Sequence, residues 1–97
     1  MLLGTQRKNE TGAALLYRSE DLRHWQLEGE LEIPGFSDTI ATGYMWECPN
    51  LMRLRDEVDG QYYDVLIICP QGMKPGMEGF ENVFPCIYLV GHLRGTR

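Results

Sequence analysis

The stretch Tyr62-Tyr63-Asp64-Val65-Leu66-Ile67-Ile68-Cys69 is followed at once by Pro70 and then by Gly72. It is short, rich in β-branched and aromatic residues, and closed by turn-forming residues, which is the pattern of a β-strand. Similar apolar or alternating runs recur along the chain, and none keeps a helical period over three turns. The sequence therefore predicts an all-β fold. We expect strands at Leu2–Gln6, Ala14–Ser19, Trp25–Leu31, Glu47–Leu54, Tyr62–Cys69 and Cys86–His92.

Two predicted hairpins and two longer segments connect these strands. The hairpins are Ser19–Trp25 and Asp56–Gly60, where Ser and Asp side chains can close local turns on the backbone. The longer segments, Pro34–Gly43 and Gln71–Pro85, are predicted to be loops. In a domain built from short antiparallel strands, such loops gather at strand ends, where functional sites usually lie.

Length and charge exclude several classes of function. The chain has 97 residues, enough for one small domain, so a large cleft would need walls from elsewhere. A net charge of −5 disfavours binding to nucleic acid or to anionic lipid. The longest apolar stretch, Val65–Cys69, is too short to cross a membrane, and no export signal begins the chain. We expect a soluble, unexported chain with neither nucleic acid nor membrane as partner.

Cysteine usage supports the same interpretation. Cys48, Cys69 and Cys86 are an odd number and lack the close spacing of a zinc site or a redox dithiol. We interpret them as reduced and the chain as cytoplasmic. The triplet Asn9-Glu10-Thr11 matches a glycosylation sequon, but such triplets also arise by chance and matter only in secreted chains.

Glu47 is the most unusual candidate residue, because it lies in the aromatic and sulfur-rich segment Tyr44–Met52. Desolvation by Trp46 and Cys48 would disfavour its charged form, as a general acid requires. Pro49 cannot donate to a strand ladder and so marks a strand start, an edge or a bulge. The alternative is a solvated or turn-bonding carboxylate on an edge strand, and the residues alone favour it.

Four segments in the same order resemble glycoside hydrolase family 32. Trp46-Glu47-Cys48-Pro49-Asn50 resembles its acid/base signature, and the Gly12–Leu31 stretch, with Tyr17-Arg18-Ser19-Glu20-Asp21-Leu22-Arg23-His24-Trp25, is similar to a family hairpin. Asp64–Met73, which contains Pro70-Gln71-Gly72, resembles the Pro-Gln-Gly segment of bacterial sucrose-6-phosphate hydrolases, and Ile87–Gly91 resembles the strand after it. The resemblance implies about one and a half blades of a five-bladed β-propeller, with residues 1–43 as outer strands of one blade and 44–97 as inner strands of the next. The N-terminal blades and any C-terminal β-sandwich are expected to lie outside the chain.

The same resemblance implies retaining hydrolysis of a β-D-fructofuranoside, sucrose or sucrose 6-phosphate, with Glu47 as the general acid/base. The family's nucleophile lies in an Asn-Asp-Pro-Asn-Gly motif and a sugar-binding aspartate in an Arg-Asp-Pro motif, and neither motif occurs in these 97 residues. We therefore expect the isolated chain to be inactive. No metal or organic cofactor is implied, since two carboxylates suffice for this chemistry.

Two other hypotheses remain open at this point. One is a non-catalytic carbohydrate-binding or structural module in which Glu47 only forms hydrogen bonds. The other is a truncated product without function, or a chain that self-associates through unpaired sheet edges.

Other polar residues are weaker candidates. His24 is interpreted as an exposed hairpin residue, and His92 has no second histidine near it to form a metal site. The acidic run Asp56–Asp59 is expected to be a solvated turn and not a calcium loop. Cys48 lacks the residues that would activate a nucleophile, and Gly72, Gly76 and Gly79 open no helix that could bind phosphate.

Overall fold

The chain forms two three-stranded antiparallel sheets. The computed structural model describes residues 1–34, 43–72 and 85–97. All six predicted strands are confirmed, and their ends move by no more than two residues. The first sheet contains β1 (Leu2–Gln6), β2 (Gly12–Arg18) and β3 (Gln26–Glu30), and the second contains β4 (Met45–Arg55), β5 (Tyr62–Gln71) and β6 (Ile87–Gly91). The predicted loops Pro34–Gly43 and Gln71–Pro85 lie mostly outside the described residues.

The predicted hairpin between β2 and β3 is closed by side chains that bind backbone amides. Ser19 Oγ accepts a hydrogen bond from the Leu22 N–H at 2.8 Å, and Asp21 Oδ1 accepts one from the His24 N–H at 2.8 Å. These bonds satisfy amides in a turn where Leu22 has a φ of 64°. The same amide, together with the His24 ring, holds the pKa of Asp21 below its ordinary value. His24 is exposed there, as expected.

The hairpin between β4 and β5 is also closed by side chains that bind backbone amides. Asp56 Oδ1 accepts the Val58 N–H at 2.7 Å, and Asp59 Oδ1 accepts the Gln61 N–H at 2.8 Å. Gly60 adopts a φ of 74°, which favours glycine. The acidic run is exposed, so the prediction of a solvated turn is confirmed.

The core lies where the two sheets meet. Its buried residues are Ala14, Leu31, Trp46, Leu66, Ile68 and Ile87. They come from both sheets, so neither sheet buries its apolar face without the other. Within the described parts of the chain, no helix is long and apolar enough to span a membrane.

Two glycines of the first sheet allow it to approach Trp46 closely. A Cβ atom on Gly4 would lie 1.8 Å from the carbonyl oxygen of Trp46, and one on Gly12 would lie 2.3 Å from its Cδ1 atom. Neither distance is compatible with van der Waals contact. The backbone of β1 therefore packs directly against the peptide that joins Trp46 to Glu47.

We expect Gly4→Ala to lower the free energy of unfolding by about 1–3 kcal/mol or more, because backbone atoms of β1 or β4 must move to admit the methyl group. Urea denaturation followed by far-UV circular dichroism measures this difference.

Gly91→Ala is the matched control, because Gly91 also lies in a strand and a Cβ atom there would meet nothing within 4 Å. Its midpoint should stay the same or rise slightly, since alanine restricts the unfolded chain. Equal midpoints for the two variants would show that β1 does not pack on β4 in this way.

Candidate active site

Glu47 is the third residue of β4, which is an edge strand of the second sheet. Its side chain is exposed, whereas that of Trp46 is only 3% exposed and faces the core. Successive side chains of a strand point to opposite faces of the sheet, so the side chains of Trp46 and Glu47 lie on different faces. The expectation that Trp46 desolvates Glu47 is therefore wrong for these residues. The prediction that Glu47 lies near a strand end is confirmed.

A β-bulge follows Glu47. Glu47 pairs with Cys69 and Asn50 pairs with Ile67, so that Cys48 and Pro49 together face a single residue of β5. Cys48 has a φ of 48°, and the Asn50 side-chain amide donates to the Cys48 carbonyl oxygen at 3.0 Å. Bulges of this kind bend a strand and change the direction of a side chain. Pro49 thus marks both an edge strand and a bulge, as the sequence predicted.

Polar groups lie beside Glu47 at the same end of the sheet. Gln71 pairs with Met45 two positions before Glu47, which places Gln71 and Glu47 on one face. The Tyr44 hydroxyl donates to Gln71 Oε1 at 3.1 Å, and the Tyr44 N–H donates to the Gln71 carbonyl at 2.8 Å. Gly43 permits this contact, because a Cβ atom there would lie 1.9 Å from the Gln71 carbonyl oxygen.

Tyr44 and Gln71 were not candidates in the sequence interpretation, although Gln71 lies in a segment that carries the family resemblance and Tyr44 lies two residues before another. They are 27 positions apart, and only the β4–β5 register brings them together. The face around Glu47 thus combines a carboxylate with a hydroxyl and an amide, which are groups suited to sugar hydroxyls.

The cysteines lie closer to one another than their spacing suggests. Cys69 pairs with Glu47 of β4, and extending the β5–β6 register by one residue from the Ile68–Ile87 pair brings Cys86 opposite Cys69. The neighbouring Cys86 thiol, together with partial burial, raises the pKa of Cys69, and nearby Cys48 and Glu47 contribute in the same direction. All three cysteines are free thiols. In residues 1–34, 43–72 and 85–97, no group of three His, Cys, Asp or Glu side chains is arranged to bind a metal.

The other candidates lie away from Glu47. The His92 ring stacks on Tyr63, with centroids 5.1 Å apart, and His24 pairs with Asp21 in the β2–β3 hairpin. An apolar cavity of about 180 Å³ opens near Leu31, Leu66 and Leu93 rather than near Glu47.

Glu47 can donate or accept a proton, but retaining hydrolysis requires a second carboxylate about 5–5.5 Å from the first. The residue that pairs with Glu47 across the sheet, Cys69, carries a thiol.

Comparisons with known proteins extend over the whole chain. A family model described as "Glycosyl hydrolases family 32 N-terminal domain" matches residues 1–97. The chain is 36% identical over 97 residues to the sucrose-6-phosphate hydrolase of Klebsiella pneumoniae, covering 100% of this chain and 20% of that protein. It is 38% identical over 93 residues to the sucrose-6-phosphate hydrolase of Bacillus subtilis (strain 168), covering 96% of this chain and 18% of that protein. The chain thus spans about a fifth of the length of these curated relatives.

A solved structure shows the same fold. The Bombyx mori GH32 beta-fructofuranosidase BmSUC1 superimposes with a TM-score of 0.71 and 33% sequence identity, covering 96% of this chain and 18% of that chain. The predicted all-β, β-propeller fragment is thereby confirmed. The division into outer strands at residues 1–43 and inner strands at 44–97 stays a prediction. The chain belongs to glycoside hydrolase family 32, as a stretch of its N-terminal domain.

Proposed function

We propose that this chain contributes the general acid/base, Glu47, to a larger enzyme that hydrolyses a β-D-fructofuranoside with retention of configuration. The observation that carries the proposal is the position of Glu47, exposed on a bulged edge strand within Trp46-Glu47-Cys48-Pro49, in a family 32 chain. An exposed carboxylate on an edge strand can reach a substrate outside the sheet. The bulge and the Asn50 hydrogen bond restrict the backbone that carries it.

The proposed reaction has two steps. In the first, Glu47 protonates the glycosidic oxygen as the leaving group departs, while a carboxylate from outside this chain attacks the anomeric carbon. In the second, Glu47 removes a proton from water, which attacks the fructosyl ester and releases fructose. The side chain thus returns to its starting protonation state. Tyr44 and Gln71 are placed to form hydrogen bonds with substrate hydroxyls on the same face.

The proposed substrate is sucrose or sucrose 6-phosphate. Several relatives carry the name sucrose-6-phosphate hydrolase, and one, from Escherichia coli, is a raffinose invertase that is 34% identical over 92 residues. Cytoplasmic location and the absence of a cofactor stay predictions. Self-association through unpaired sheet edges is a further prediction for the isolated chain.

A chimera tests this proposal. The 97-residue chain would replace the aligned segment of the Bacillus subtilis sucrose-6-phosphate hydrolase, and fructose release from sucrose and from sucrose 6-phosphate would be measured. We expect the folded chimera to hydrolyse at least one of the two sugars. The isolated chain should release no fructose, because it lacks the motif that carries the nucleophile.

Two results would contradict the proposal. One is a folded chimera, with a native-like circular dichroism spectrum, that hydrolyses neither sugar, which would favour a binding or structural role for this stretch. The other is turnover by the isolated chain that depends on Glu47, which would mean that both carboxylates lie within it.

A further inference from the structure

Cys69 and Cys86 are neighbours across two strands. The β5–β6 register pairs Ile68 with Ile87, and extending this antiparallel register by one residue brings Cys69 opposite Cys86. Directly opposite residues point to the same face of a sheet. The influence of Cys86 on the pKa of Cys69 agrees with this placement. The sequence offered no such signal, because 16 residues separate the two cysteines.

The backbone spacing of such a pair is compatible with a covalent bond. Directly opposite residues in an antiparallel pair have Cα atoms about 4.5–5.5 Å apart. Disulfides form over Cα distances of about 4.4–6.8 Å without displacement of the backbone. The two strands therefore need not move to join Cys69 to Cys86.

We propose that Cys69 and Cys86 form a dithiol that a peroxide converts into a disulfide, a covalent modification site in the residue pair next to Glu47. Both thiols are reduced in the structure described above. The proposal does not depend on the proposed hydrolytic function, because it needs only the two strands and an oxidant.

The reaction begins at Cys86, which is exposed, whereas Cys69 is partly buried. Hydrogen peroxide oxidises the Cys86 sulfur to a sulfenic acid and is itself reduced to water. The Cys69 sulfur then attacks the Cys86 sulfur, the S–O bond breaks, and a second water leaves with the Cys69 proton. In total, two thiols and one peroxide give one disulfide and two waters.

The different exposure of the two thiols supports this order. Cys86 is the thiol that solvent and oxidant can reach. Cys69 then acts as the resolving thiol once the sulfenic acid has formed beside it.

The test treats the 97-residue chain with hydrogen peroxide and measures its intact mass and its free thiols. We expect a loss of about 2 Da and a fall from three free thiols to one, both reversed by dithiothreitol. Cleavage after glutamate places the three cysteines in separate peptides, residues 48–57, 58–78 and 82–97. The oxidised sample should contain the second and third peptides joined by a bond that reduction breaks.

Three serine variants complete the test. Cys48→Ser should still lose about 2 Da, whereas Cys69→Ser and Cys86→Ser should not. The peptide result from the unsubstituted chain and from Cys48→Ser decides the question even if one of the other variants fails to fold. Oxidation that only adds oxygen, or a linked peptide that contains Cys48, would overturn the proposal.

Discussion

Glu47→Gln in the chimera should lower kcat/KM for sucrose or sucrose 6-phosphate by about 10²–10⁴-fold, the usual contribution of general acid–base catalysis. Glutamine has nearly the same shape as glutamate, so the exposed position on β4 should tolerate it without loss of stability. It cannot give a proton to the leaving oxygen or take one from water. The measurement is steady-state hydrolysis, with circular dichroism to confirm that the variant is folded.

A second substrate separates a general acid from a residue that only binds sugar. The nitrophenyl group leaves without protonation, so kcat/KM of Glu47→Gln for a nitrophenyl β-D-fructofuranoside should fall much less than its kcat/KM for sucrose.

Glu28→Gln is the matched control, because Glu28 is an exposed strand glutamate of the other sheet. Its activity should stay within about twofold of the unsubstituted chimera, since surface changes away from a site have small effects. If Glu47→Gln lowers kcat/KM equally for both kinds of substrate, Glu47 binds substrate but does not transfer its proton.

The strand pattern was predictable from sequence because it depends on local information. Alternating or β-branched runs closed by Gly, Pro, Asp or Asn gave all six strands, and Pro49 alone indicated an edge or a bulge. The turn at Asp56–Gly60 was equally readable, because its side chains bind amides two or three residues away.

The surroundings of Glu47 were not predictable in the same way. Side chains alternate between the two faces of β4, so Trp46 is buried and Glu47 is exposed. Trp46 therefore does not desolvate Glu47, although it is adjacent in sequence. The contact between Tyr44 and Gln71 and that between Cys69 and Cys86 depend on strand register. Register depends on how the strands of the whole sheet pair, including the bulge. The spacing of residues along the sequence does not determine it.

Trp46→Ala should lower the free energy of unfolding by about 3–5 kcal/mol, a large part of the total stability of about 5–15 kcal/mol typical of a domain. The indole is only 3% exposed and lies in the core with Leu66 and Ile68. It also packs on Gly12, which has no side chain to fill the space that alanine would leave. Urea denaturation followed by far-UV circular dichroism measures the loss without relying on tryptophan emission.

Trp25→Ala is the matched control, because it also removes a tryptophan but at a position that is 40% exposed, next to the β2–β3 hairpin. We expect a loss of no more than about 1 kcal/mol, since much of its surface already faces water. In the Trp25→Ala variant, Trp46 is the one tryptophan left in the chain, and its emission should shift to longer wavelength on unfolding. Similar losses for the two variants would mean that the sheets do not close over Trp46. The peptide that carries Glu47 would then lack its support from β1.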